Sequence, residues 1–205
     1  MSSGFSKYDR QEITQSIYCY PDTDVLKNKA GIKDAKVLVE FEADVTAFRQ
    51  YMLESTPIKG KFGIKHLKNI HKHIFQDIYP FAGKLRLEDI WKGDTFFCKS
   101  QFIEANLTAL LTQLKGEKYL KGIDIDKFAQ RAAFYLSELN IIHPFREGNG
   151  RTIREFIRCL ALEVGLKINW SFVDGNELLN AIIIAVTNNR ELLEKCIYQT
   201  IVSKK

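Results

Sequence analysis

The chain has 205 residues, 45% of them hydrophobic, and 30 Lys and Arg against 25 Asp and Glu give it a net charge of +5. That length supports one sizeable core. The positive charge is spread over Lys27 and Lys29, then Lys59, Lys61, Lys65 and Lys68, and finally Lys204 and Lys205, which argues against a direct DNA or RNA partner because such binding needs a tighter basic footprint. No stretch approaches the ~20 apolar residues that cross a bilayer, and Met1 to Arg10 lacks the apolar run of a signal peptide.

The N-terminal stretch, 1–33, reads as an arm ahead of a single globular unit over 34–205. Asp34 is placed to cap a helix that repeats Leu38, Phe41, Val45, Phe48 and Met52. A second repeat, Ile64, Leu67, Ile70, Ile74 and Ile78, predicts another helix; His66, His71 and His73 lie on or beside it at spacings that fit no common zinc site and read as ordinary surface or core histidines. The runs Lys84 to Trp91 and Thr95 to Cys98 are β-prone and flank Lys92-Gly93-Asp94, so they predict a hairpin over about 84–98. Alone, it would be no more than a decoration on a helical domain. A helix follows Ser100 through Phe102, Leu107, Leu110 and Leu114 to Gly116, and Leu178 to Val186 and Leu192 to Ile201 read as two closing helices. Cysteines 19, 98, 159 and 196 lack paired ligand spacing and read as the reduced thiols of a cytosolic protein.

Between Gly116 and Leu178 lies the densest chemistry. Helical spacing at Ile125, Phe128, Ala132, Leu136 and Leu139, and again at Ile153, Phe156, Ile157, Leu160 and Val164 up to Gly165, brackets the segment 143–154, His-Pro-Phe-Arg-Glu-Gly-Asn-Gly-Arg-Thr-Ile-Arg. A turn with Gly148 and Gly150 running into a helix start can converge amides on an anion, such as a phosphate. Arg151 and Arg154 share one face of the first turns, where the helix dipole disfavours cations unless an anion is bound. His143 is a candidate proton acceptor, and Glu147 offers the hard oxygen that Mg²⁺ prefers when it is shared with phosphates. Taken singly, each has a bland reading: a helix-end histidine, a turn, a solvated arginine pair, a surface carboxylate.

Together these residues resemble the signature of Fic proteins, His-x-Phe-x-(Asp/Glu)-Gly-Asn-Gly-Arg-x-x-Arg, with every specified position present at 143–154. The resemblance implies an all-α core with one β-hairpin flap, and a protein adenylyltransferase that moves AMP from MgATP to a Ser, Thr or Tyr hydroxyl of a target protein. It implies that His143 is the general base, Glu147 the Mg²⁺ ligand and Phe145 an anchor of the loop 143–151. Gly148, Asn149, Gly150 and Arg151 would cradle the α and β phosphates, and Arg154 would hold the γ phosphate. Glycine at 150, where the family's kinase branch carries lysine, favours nucleotidyl transfer. The hairpin corresponds to the family's flap, which docks a target segment by strand addition, here through Leu85, Leu87, Asp89, Ile90 and Phe96.

Many members carry an inhibitory helix, Ser/Thr-x-x-x-Glu-Gly/Asn. Here Thr187 and Glu191 are followed by Leu192, so the pattern is incomplete. The segment from Tyr18 to Asp34 resembles the lead-in of Fic toxins that pair with a small antitoxin, which would supply its glutamate to Arg154. The resemblance thus implies a bacterial cytoplasmic toxin, unless it is delivered as an effector, and a type II topoisomerase as one candidate target. A different nucleotide or a phosphocholine donor on the same scaffold, or a silent binding module, are the alternatives.

Overall fold

The computed structural model describes residues 15–92 and 95–202. Positions 1–14 of the expected arm, the turn residues Gly93 and Asp94, and Lys204 and Lys205 lie outside the described residues. Among the described residues there are seven α-helices: α1 (Ala35–Ser55), α2 (Ile64–Phe75), α3 (Ile103–Gly116), α4 (Ile125–Ile142), α5 (Asn149–Glu163), α6 (Gly175–Ala185) and α7 (Glu191–Thr200). Two antiparallel pairs of two-residue strands complete it, β1 (Trp91–Lys92) with β2 (Thr95–Phe96) and β3 (Lys167–Ile168) with β4 (Ile201–Val202). No described helix is long and apolar enough to cross a membrane.

α4 is the axis of the fold, packed on α3, α5, α6 and α7, while α2 packs on both α5 and α1. Its inward positions Phe128, Ala132, Leu136 and Leu139 are at most 1% exposed and meet Phe156, Ile157 and Leu160 of α5 and Leu193 and Ile197 of α7. Ala129, Ala132 and Ala133 let neighbouring helices approach closely, and each large side chain so buried contributes about 1.5–3 kcal/mol. Asp34, Asp124 and Asp174 cap α1, α4 and α6 by accepting first-turn amides, the Asp34 carboxylate from Lys36 at 2.8 Å and from Val37 at 3.1 Å. Gly165, at φ +81°, ends α5 as its position suggests.

α1 departs from its expected face. The repeat at Leu38, Phe41, Val45, Phe48 and Met52 suggests the inner stripe, yet Phe48 is 62% exposed and the buried positions are Leu38, Glu42, Thr46 and Leu53. The helix is turned so that a carboxylate and a hydroxyl face the α2–α5 layer, for a reason the active site supplies. The hairpin is also shorter than expected: Lys84 to Ile90 runs as irregular chain, and only 91–92 and 95–96 pair, Trp91 opposite Phe96 and Lys92 opposite Thr95.

Residues 15–33 are packed into the same core. Leu26 is fully buried, Tyr18 packs edge-on against Phe81 with ring centroids 5.1 Å apart, and the Tyr18 hydroxyl accepts the Leu87 amide at 2.9 Å. Leu26→Ala should therefore lower unfolding stability by about 2–5 kcal/mol in urea titration. A loss below ~0.5 kcal/mol would mean that the arm is a detachable appendage.

Candidate active site

The α4–α5 connection brings the motif residues together and buries them. His143 caps α4 in the left-handed conformation, φ +47°, its amide bonded to the Leu139 carbonyl at 3.0 Å. Its ring is 6% exposed and stacks on Phe97, 3.8 Å between centroids. Nδ1 lies 3.0 Å from the Asn140 carbonyl, which can only accept, so Nδ1 carries the proton and Nε2 the lone pair. Burial, with the positive charges of Arg86 and Lys92 adding to it against the Asn140 bond, lowers the imidazole's pKa from 6.5 to about 3. The ring is thus neutral at physiological pH.

The rest of the loop is built to hold this shape. Asn149, 1% exposed, spends its side chain on Phe145, Oδ1 accepting that residue's amide at 2.9 Å and Nδ2 donating to its carbonyl at 2.8 Å. Only its backbone amide is therefore available to a phosphate. Phe145 is fully buried and stacked on His71, 3.9 Å between ring centroids. Gly148 sits at φ +80°, and a Cβ there would come within 2.1 Å of the Phe75 ring. α5 begins at Asn149, so the amides of Asn149, Gly150 and Arg151 have no partner further back in the helix and open an anion site at its positive end.

Glu147, 4% exposed, accepts the Gly148 amide through Oε1 at 2.8 Å. Among the described residues no cluster of three or more His, Cys, Asp or Glu could hold a metal by itself. One carboxylate beside an anion site does fit Mg²⁺, which takes one or two protein carboxylates and fills its remaining positions with phosphate oxygens and water.

The two arginines differ. Arg151 donates to Glu42 Oε1 at 2.5 Å and to Thr46 Oγ1 at 3.0 Å, lies over the Phe75 ring, and stands 3.7 Å from Glu147. Glu42 also accepts the hydroxyl of Tyr79, whose pKa is raised by burial and by that carboxylate. This is why α1 turns its polar side inward. Arg154 has no such partner among the described residues; burial, then Arg151, disfavours its charge. It lines a groove of about 290 Å³ with Trp170, Val173, Gly175, Leu178, Leu179 and Ile182, and the buried indole N–H of Trp170 has no acceptor among the described residues.

Of the five expected docking positions, Leu87 and Phe96 are 75% and 42% exposed. Of the other three, whose side chains are turned to the protein, Ile90 is buried, Leu85 packs on the core, and Asp89 accepts the Ser100 amide at 2.6 Å. Between the two leucines, Arg86 is the fully buried side chain, at 2% exposure. Arg86 and His71 are the residues that the motif does not mention. His71 accepts the Gly83 amide at Nδ1, 2.8 Å, and donates from Nε2 to the Glu147 carbonyl at 2.9 Å. Their signal, a basic group amid apolar neighbours, reads in sequence as a solvated side chain.

The Fic/DOC family model matches residues 61–161, and "Probable protein adenylyltransferase Fic" of Escherichia coli is 38% identical over 157 residues, 77% of this chain and 78% of that protein. The chain belongs to the Fic/DOC family. "Protein adenylyltransferase VbhT" of Bartonella schoenbuchensis is 43% identical over 88% of this chain, which spans only 38% of that relative's length. Among solved structures, the BepC effector of Bartonella tribocorum with bound AMPPNP superposes with a TM-score of 0.86 at 26% identity, covering 92% of this chain and 97% of that one. A Bartonella quintana Fic domain with bound ADP gives 0.87 at 29%, covering 92% and 95%. These neighbours share the all-helical Fic architecture.

Two measurements follow from the geometry. Gly148→Ala has to displace Phe75 and strain φ, and should lower stability by about 2 kcal/mol or more in urea titration, a loss under ~0.5 kcal/mol disproving the close approach. For His143, the folded pKa lies below the unfolded 6.5, so the unfolded state binds the proton first and stability is lost as pH falls from about 6.5 towards 3. Relative to His143→Asn, which tolerates the left-handed backbone, the wild type should lose about 1.5 kcal/mol more between pH 6.5 and about 5. Parallel stability curves would mean that the imidazole is not held neutral.

Proposed function

We propose that this Fic domain is a protein adenylyltransferase. The observation that carries the reading is an imidazole with a fixed tautomer, Nε2 basic, at the end of α4, next to the open amides of α5. The chain's similarity to adenylyltransferase relatives and to Bartonella domains solved with bound AMPPNP and ADP supports it. In this reading the loop amides of Gly148 to Arg151 hold the α and β phosphates, with Arg154 on the γ phosphate. The target hydroxyl loses its proton to His143 Nε2 as its oxygen bonds to the α phosphorus. The bond to the bridging oxygen then breaks and pyrophosphate leaves. Glu147 would hold Mg²⁺, which when bound neutralises phosphate charge. Anionic phosphates near His143 favour its protonated form, which raises the imidazole from about 3 towards the range where a base works well. Leu87 and Phe96 are the side chains left to meet a target segment beside the strand pair.

We further propose a toxin role, a cytoplasmic bacterial target such as a type II topoisomerase, and a small antitoxin. The groove beside Arg154 supports the antitoxin: it offers an apolar bed, a guanidinium without a carboxylate and an indole N–H without an acceptor among the described residues. An amphipathic helix bearing a glutamate satisfies all three.

The test uses ATP labelled at the α or the γ phosphate with Mg²⁺ in a bacterial lysate. Label should pass to protein from the α position alone and fall at least ~10²-fold in His143→Asn. Transfer from the γ position would make the chain a kinase, and no transfer from either would leave another donor or a silent module. For the toxin role, expression of the chain alone should arrest bacterial growth while His143→Asn does not; normal growth of cells containing active enzyme would reject it.

A further inference from the structure

We infer that Arg86 is a positioning residue that locks the flap in register with the catalytic histidine. The inference rests on the reading of 84–98 as the flap and His143 as the base. The guanidinium lies at the meeting of three chain segments and donates to a carbonyl in each. Nε reaches the carbonyl of His143 itself at 2.8 Å, Nη2 that of Ile142 at 3.2 Å, Nη1 that of Glu88 on the entering limb at 2.6 Å, and Nη2 also that of Cys98 on the leaving limb. Backbone bonds flank it, from the Arg86 amide to the Pro144 carbonyl at 2.9 Å and from the Cys98 amide to the Ile141 carbonyl at 3.1 Å. One planar cation therefore spans both limbs of the flap and the last turn of α4.

The geometry suits a guanidinium and no other side chain. Its N–H groups radiate in a fixed plane, so acceptors on three segments have to keep their mutual positions for all the bonds to form. The carbonyls of Ile142 and His143 are the negative end of the α4 dipole, which favours a cation there. With only two residue pairs in its ladder, the hairpin has little stiffness of its own. Phe97, 4% exposed, carries the same register to the His143 ring by stacking on it. A target segment laid along the flap is then aligned with Nε2 through Arg86 rather than through the short ladder, and an error of about 1 Å in such alignment costs about 10²-fold in rate.

The experiment compares wild type with Arg86→Lys, which keeps the charge and loses the planar fork. Nucleotide affinity, read by calorimetry with ADP, should change less than ~3-fold, because the loop amides and Arg154 are untouched, while kcat for labelling of the lysate target falls about 10²-fold. Loss of both in parallel would assign Arg86 a general structural role and overturn the inference, as would full activity. Hydrogen exchange separates this from failure of the enzymatic reading, since it needs no turnover. In the wild type the amides of Arg86 and Cys98 should be protected as strongly as those of α4, and in Arg86→Lys exchange over residues 86–98 should quicken at least ~10-fold with α5 and α7 unchanged. Unprotected amides at 86 and 98 in the wild type reject the clamp even if the variant fails to fold.

Discussion

Eight consecutive residues, Ile142 to Asn149, are buried although seven of them form no helix or only its first residue. Irregular chain normally stays at the surface because buried amides and carbonyls need partners. Here the partners arrive from three parts of the chain. Arg86 takes the carbonyls of Ile142, His143 and Pro144, and Asn149 closes on both backbone groups of Phe145. His71 takes the Glu147 carbonyl and Thr152 that of Gly148. Each is a side chain or amide that must be in place before the loop can be dry, so α2, the flap segment and α5 are all fixed by one turn's hydrogen-bonding demand.

That demand also explains the electrostatics. A dry loop raises the cost of charge, and several of the charged groups in and beside it are met in different ways. His143 stays neutral. Arg151 is held by Glu42 and Thr46, whose burial on α1 is otherwise a waste of a helix face. Glu147 takes the Gly148 amide and faces Arg151 at 3.7 Å. Arg154 is the exception, its charge disfavoured by burial with no carboxylate among the described residues beside it. An anion at Arg154 is therefore the change to which this site responds most directly, whether the anion is a phosphate or a partner's carboxylate.

Much of this was legible in the sequence, for identifiable reasons. The helices carry apolar residues at helical spacing over long stretches, and the motif packs chemically unusual neighbours into twelve positions. What escaped was polar and buried. Glu42 and Arg86 have the composition of surface positions, and only three-dimensional partners distant in sequence, Arg151 for one and the end of α4 for the other, make their burial favourable. Phe48 and Met52 misled in the opposite sense, as apolar residues on the exposed side of α1. The hairpin is shorter than the sequence suggests: Leu85-Arg86-Leu87 alternates as a strand does, but the chain there bonds to Pro144 and Tyr18 instead of to a partner strand.

The same contacts bear on how chemistry and docking are divided. The proposed phosphate site is made of backbone at a helix start, which would serve every nucleotide with the same phosphates. Nothing in that part selects a target. In the proposed reading, selection falls to Leu87, Phe96 and the surface around them, which are exposed, while Arg86 ties that segment to the His143 carbonyl. In the same reading, a fixed turn joined to an exposed edge by one buried cation would let the exposed residues change without disturbing the base, so that positions 87 and 96 would set what is docked and position 86 whether it can react.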